Sequence, residues 1–391
     1  MYFIMEFLPF FLVLMAAVFF SELFQRLHLP WVVALILGGV IIGPSVLGWL
    51  EPVGFIDFLG QIGLIFLMFI AGLEIRLSGF KQNWQDVTAV SILNSGIPFL
   101  AGFGIAWFFG MGLEASILLG IIFISSAVAV SIPSLESNKL LGTGAGKLVT
   151  SVTVFEDIFS LVLLALFLQI VVGSPGEGLP IVLFFILFIL SVVVLRLVVP
   201  KIQWLLSLNQ PADESSERSF LSIFAILIGT VVIFELLGLH PIVGGFFAGL
   251  ILSDSLVNPV LRDRIRTISY GLFIPIFFIV IGAKTDIWIF HELTGVILLT
   301  VLVIIGSIVS KFVSGYLGGR LLGFSNTESS LIGVATIPQL SITLAVAFTG
   351  VELGILNENL ATALVALTIV TTFSAPIIIR SIARRMNIRV V

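Results

Sequence analysis

Cysteine is absent from the sequence, histidine occurs three times (His28, His240, His291), and charge is scarce. Each shortage removes a class of chemistry. Without cysteine there is no disulfide, no thiolate metal ligand and no cysteine nucleophile. Three histidines far apart in sequence argue against a histidine metal site. Asp, Glu, Lys and Arg make up 10% of the 391 residues, where soluble globular chains carry about 25%. That is too little charge to wet a soluble enzyme of this size or to keep a chain disordered. A net charge of −4 offers no basic field to nucleic acid. Apolar residues are abundant instead, at 59%, with a mean hydropathy of +1.25. The composition points to an all-α polytopic membrane protein, in which the few charges carry the information.

A membrane helix needs about 20 mostly apolar residues. Apolar runs between polar or Gly/Pro breaks number thirteen, near 3–24, 30–50, 56–75, 87–109, 114–135, 146–172, 178–199, 219–237, 240–253, 267–283, 292–317, 328–350 and 360–380. The ninth is short, as a tilted or re-entrant segment would be. Glu6, with no Lys or Arg ahead of the first run, argues against a cleavable signal, so this run reads as a retained span. With the N-terminus outside and loops alternating sides, every Lys and Arg except Lys284 and Lys311 falls on one side of the membrane. Positive charge marks that side, and with it the C-terminus, as cytoplasmic. The expected location is a plasma (inner) membrane.

Thirteen spans divide into six, a linker and six, and the odd linker turns the second half over, giving an inverted repeat. The expected organisation is a first repeat at 1–177, a linker span and cytoplasmic loop at 178–218, and a second repeat at 219–391. Pro30, Val32 and Gly38 in one half echo Pro241, Val243 and Gly249 in the other. The fifth spans of the two halves also share a proline, Pro133 in SSAVAVSIPSLES and Pro338 in VATIPQLSITL. Proline inside a helix removes a hydrogen bond and kinks or breaks it. Matched broken helices in two halves mark a transporter's binding site; an ordinary kink patched by a neighbouring hydroxyl is the plainer alternative. Ser131 and Pro133 in one half, and Thr336, Pro338 and Gln339 in the other, are the expected broken-helix residues.

The sixth span carries Glu156 and Asp157 near mid-bilayer, where a pure packing role is hard to support because buried carboxylates are costly and adjacent ones repel. Neighbours on a helix point about 100° apart, so the two cannot share a face. One is expected to face an ion path and the other a counter-charge, Lys311, which lies far from either end of its own span. Thr153, one turn before Asp157, would either complete a cation's oxygen shell or bond its own helix carbonyl. Asn94, in mid-span, would bond across helices or line a path, with packing as the favoured reading. Glu235 reads as interfacial, and Glu74 with Arg76 as a solvated pair at a cytoplasmic helix end.

GLIFLMFIAGLEIRL resembles the third-span signature of the bacterial sodium/proton and potassium/proton antiporters of the monovalent cation:proton antiporter superfamily, the Kef and Nap type. SSAVAVSIPSLES followed by FEDIFSLVLLAL is similar to their broken helix and carboxylate helix. GLHPIVGGFFAGLILSDS, GLFIPIFFIVIGAKTD and SKFVSGYLGGRLLG match further blocks in order, so the resemblance covers nearly the whole chain. It implies the sodium/proton antiporter fold: two inverted six-helix repeats whose broken helices cross in a core of spans four to six and eleven to thirteen. A dimerising scaffold of spans one to three and eight to ten is implied beside it. The implied cation- and proton-binding carboxylate is Asp157, with Glu156, Thr153 and Ser126 around the monovalent cation. Glu156 stands where sodium exchangers carry Asp or Asn and Kef-type proteins often Gln. Lys311 matches the family's intramembrane lysine, which pairs with that preceding acid in electrogenic members. A threonine frequent in the broken span is Ala127 here, so a ligand at that position would be a backbone oxygen. Gln339 follows Pro338 where many members are charged.

The implied function is secondary active antiport rather than an enzymatic reaction. Na⁺ would exchange for protons by elevator-type alternating access, in a lipid-embedded homodimer serving pH homeostasis, with the ions as cargo and no cofactor. Potassium/proton exchange, or a Kef-type gated potassium efflux system with a regulatory tail or subunit outside this chain, fits the same core. A sodium-coupled organic-anion symporter shares the inverted-repeat logic but has no need of a Glu-Asp pair opposed by lysine. An intramembrane aspartyl protease needs carboxylates on different helices, and adjacent Glu156 and Asp157 cannot supply that.

Overall fold

The computed structural model describes residues 2–26, 30–75, 84–171, 186, 189–198, 201, 215–237, 239–253, 259–288 and 294–386, and among these every regular element is a helix. In chain order they are α1 (Tyr2–Arg26), α2 (Trp31–Ile42), α3 (Phe55–Glu74), α4 (Trp84–Phe108), α5 (Gly112–Ile124), α6 (Val128–Ser137), α7 (Gly144–Val171) and α8 (Ile189–Val198). There follow α9 (Ser215–Leu236), α10 (Pro241–Ser253), α11 (Pro259–Ile268), a π-helical turn (Ser269–Phe273) and α12 (Ile274–Lys284). The last are α13 (Thr294–Leu321), α14 (Asn326–Ala335), α15 (Ser341–Glu352) and α16 (Glu358–Arg385). Eight described segments are long and apolar enough to cross a membrane, and five more apolar helices run to 10–17 residues. The expected linker span near 178–199 is described only at 186 and over α8; residues 202–214 of the polar segment after it, like His28, Arg76 and His291, lie outside the described residues.

The chain divides into two compact units. The first comprises Met1–Val18, Leu50–Leu77 and Ala165–Ile281. Its tightest packing joins α3 to α10 through glycine. A Cβ on Gly72 would stand 2.1 Å from the Phe246 carbonyl oxygen, and one on Gly249 would stand 2.1 Å from that of Phe69. Only bare Cα atoms let the two backbones approach so closely, the small-residue packing that membrane helices use in place of a hydrophobic driving force. Pro241 opens α10, where its missing amide costs nothing. Phe66 and Phe273 stack at 4.5 Å beside the same contact. At the end of α3, Glu74 pairs with Arg266 of α11 at 3.1 Å, a partner 192 residues away. Glu235 is exposed near the end of α9.

The second unit comprises Phe19–Trp49, Ser78–Leu164 and Gly282–Val391. Here α4 packs on α5 and α13, and α13 packs on α14 and α16. The turn from α13 to α14 is set by Gly323 at φ +82° and by a capping box in which Ser325 and Glu328 satisfy each other's backbone amides. Asn357 caps α16 by accepting from the Leu360 amide at 2.9 Å. Val90, Leu135, Val149, Val152, Leu331 and Ile379 share one buried apolar cluster.

Two apolar stretches of this unit are interrupted. Between α5 and α6 the backbone is extended at Ser125 and Ala127, and between α14 and α15 residues 337–340 are non-helical. Pro338 sits in its gap, but Pro133 does not. It lies inside α6, six residues beyond Ala127, so it marks the interrupted span without marking the interruption. The physical reason is that the first gap is held open from outside. The Ala127 amide donates to the Pro338 carbonyl at 2.6 Å, a bond across the two gaps that a continuous helix could not make.

Candidate functional site

Helix interruptions leave backbone groups without helical partners, and in a membrane interior these must be satisfied within the protein. In this unit each half supplies what the other lacks. The Ser126 hydroxyl reaches the Thr336 carbonyl at 2.8 Å, and the Ser131 hydroxyl donates to the Ala335 carbonyl at 2.6 Å. In return, Gln339 Nε2 lies 3.4 Å from the Phe123 carbonyl, and Lys311 Nζ donates to the Ile124 carbonyl. The Gln339 amide N–H donates to Thr371 Oγ1 at 3.2 Å. The C-terminal ends of α5 and α14 and the starts of α6 and α15 thus meet at one point. The end of α5 turns its negative dipole toward a lysine.

Glu156 and Asp157 lie halfway along the 28-residue α7 and face this crossing. They sit in different surroundings. Glu156, 0% exposed, takes three donors: Asn94 Nδ2 at 2.5 Å on Oε1, and on Oε2 the Ser126 hydroxyl at 2.6 Å and Lys311 Nζ at 2.9 Å. Lys311, also 0% exposed, is ringed by Glu156 Oε2, Ser126 Oγ at 3.0 Å, the Asn94 carbonyl at 3.3 Å and the Ile124 carbonyl. The acid and the ammonium neutralise each other, and each makes further hydrogen bonds within the protein. That arrangement offsets the cost of burying both charges.

Asp157, 6% exposed, is left otherwise. Ser125 Oγ donates to its Oδ1 at 3.0 Å, and the Ser126 backbone amide faces the carboxylate. Among the described residues no Lys or Arg forms an ion pair with it. A carboxylate out of water without a protein counter-charge needs a proton or a cation. Asp157 therefore retains oxygen lone pairs that Glu156 has already given up.

The structure brings together Asp157, Glu156, Lys311, Ser126, Ala127, Ser131, Thr336, Pro338 and Gln339 of the residues expected from sequence. Thr153 lies beside them, with its hydroxyl donated to the Val149 carbonyl of its own helix at 2.9 Å. At Ala127 the amide N–H donates to the Pro338 carbonyl, and the carbonyl accepts from the Val130 and Ser131 amides at 3.0 Å. Pro133 stands apart from the crossing, within α6. Two contributors carried little signal. Ser125 was one of several hydroxyls in an apolar run. Asn94, for which packing was the favoured reading, is the residue that binds Glu156 and accepts from Ser314 at 2.5 Å. A neutral amide in mid-span was the only sign of it.

Comparison with known proteins shows the family. The model of a family described as sodium/hydrogen exchanger, transmembrane, matches residues 11–385. A probable Na(+)/H(+) antiporter 3 of Methanocaldococcus jannaschii is 31% identical over 95% of this chain and 95% of its own. The Na(+)/H(+)-K(+) antiporter GerN of Bacillus cereus is 30% identical over 95% of each chain. A Na(+)/H(+) antiporter of Enterococcus hirae is 28% identical over 96% of this chain and 97% of its own. Among solved structures, the sodium proton antiporter MjNhaP1 of Methanocaldococcus jannaschii superposes with a TM-score of 0.70 over 98% of this chain and 99% of its own, at 17% identity. With a family model that spans almost its entire length and relatives matched end to end, this chain belongs to the sodium/hydrogen exchanger family, within the monovalent cation:proton antiporter superfamily.

Proposed function

We propose that the protein is a Na⁺/H⁺ antiporter in which Asp157 holds either a proton or a cation. The observation that carries this is the unequal treatment of two adjacent buried acids. Glu156 is closed off by Lys311, Asn94 and Ser126, while Asp157 keeps free lone pairs at a crossing of broken helices. Competition for one carboxylate couples the two ions, since neither can be carried while the other occupies it. Relatives named as Na(+)/H(+) antiporters, matched over nearly their full length, support Na⁺ as the cargo.

Exchange also requires the site to face each side of the membrane in turn. The reading adopted here is an elevator: the crossing and the helices around it move as a body against a dimeric scaffold of spans one to three and eight to ten. The chain would cross the membrane thirteen times in two inverted repeats, N-terminus outside, in a plasma membrane and among its lipids. A second reading has a specific support. One relative at 30% identity is named a Na(+)/H(+)-K(+) antiporter, so K⁺ belongs on the cargo list to be tested.

The test is a cation series on purified protein in liposomes carrying an internal pH dye. An outward Na⁺ gradient should drive proton uptake at a rate several times that produced by K⁺ or choline. Equal responses to Na⁺ and K⁺ would favour the second reading. No proton movement with any monovalent cation would end both.

A further inference from the structure

Pro98 lies inside α4, four residues after Asn94. In an unbroken helix the carbonyl of residue 94 would accept from the amide of residue 98, but proline has no amide proton. The released carbonyl is used: Lys311 Nζ lies 3.3 Å from it. A second acceptor of Lys311 has a comparable origin. Ile124 ends α5, and the extended backbone that follows leaves its carbonyl to the same ammonium. Meanwhile the Asn94 side chain holds the acid, with Nδ2 2.5 Å from Glu156 Oε1 and Oδ1 2.5 Å from Ser314 Oγ. One residue therefore touches both members of the ion pair, main chain to ammonium and side chain to carboxylate, and it is 0% exposed. Hydrogen bonds to a buried charge are among the stronger ones a protein makes, and leaving one unmade is costly.

We propose that Pro98 is a positioning residue of the exchange site: by withholding an amide proton it turns the Asn94 carbonyl into a ligand of Lys311, and so fixes the Lys311–Glu156 pair beside Asp157. The proposal rests on the function assigned to that site above. Pro98 touches no cargo and acts only through Asn94. A kink alone is a separate role for the same proline, and the two are separable because only one depends on the missing proton.

The experiment compares three versions of position 98. One is the native proline. The second is Pro98→Ala, whose amide can return to the Asn94 carbonyl. The third carries the α-hydroxy analogue of alanine, introduced by nonsense suppression, with an ester oxygen in place of the N–H. Each is measured for apparent melting temperature in detergent and for Na⁺-driven exchange in liposomes. The alanine version should lose about tenfold in exchange at saturating Na⁺ and melt lower, the scale of one hydrogen bond to a charged group, while the ester version stays within about twofold of native. In a background carrying both Glu156→Gln and Lys311→Met, no ammonium needs the carbonyl, and Pro98→Ala should no longer lower the melting temperature. Alanine and ester versions that behave alike, including a shared failure to fold, would overturn the proposal. So would an equal melting loss in the neutral background. If the native protein exchanges nothing while the melting contrasts hold, the functional reading falls and the positioning role stands.

Discussion

Lys311→Met should destabilise the protein by about 3–5 kcal/mol, and adding Glu156→Gln to it should recover most of that loss. The reason lies in what each change leaves behind. Without Lys311, the Glu156 carboxylate remains fully buried with only Asn94 and Ser126 as partners, and no charge opposes its own. Glu156→Gln alone strands the ammonium among the Ile124 and Asn94 carbonyls and the Ser126 hydroxyl. Removing one member of a buried pair costs more than removing both, since the double change leaves no uncompensated charge. The sign of the coupling is therefore the prediction: the double variant should melt above either single variant. Additive losses, or a lysine variant as stable as the native protein, would show that the pair does not hold this part of the fold together.

Asp157→Asn should behave in the opposite way, losing transport and keeping stability. Asparagine has nearly the same shape, and its side-chain oxygen can still accept from Ser125 at the distance of 3.0 Å found here. No ion pair is broken, because none among the described residues involves Asp157. What disappears is the negative charge that a proton or a cation would neutralise. Na⁺-driven proton movement should fall to the level of empty liposomes, since intramembrane ionisable residues mark the ion pathway of a transporter. The melting temperature should stay close to native. Together the two variants separate the acids by role: one sustains the structure with its lysine, and the other carries the traffic.

Much of this arrangement could be read from sequence because charge is so scarce. In a chain that is 59% apolar, Glu156, Asp157 and Lys311 stand out in mid-span, and the structure brings the three to one crossing. Pro338 likewise falls in its gap. Other features were hidden for identifiable reasons. The first gap contains neither proline nor glycine; it is held open by the Ala127–Pro338 bond and by Ser126, which are tertiary contacts without local signature. Pro133 drew attention six residues too late. Neutral hydrogen-bonders such as Ser125 and Asn94 look like ordinary packing residues until their partners are known, and Asn94's partners come from α7 and α13.

The measurement that bears most directly on a single shared site is the half-saturating Na⁺ concentration for exchange, followed across pH in liposomes. If a proton and a cation compete for Asp157, that concentration should rise about tenfold for each unit of pH lowered on the acid side, while saturating Na⁺ restores the full rate. A half-saturating concentration that does not change with pH, with a maximal rate that falls instead, would mean the two ions bind at separate sites and would contradict the account.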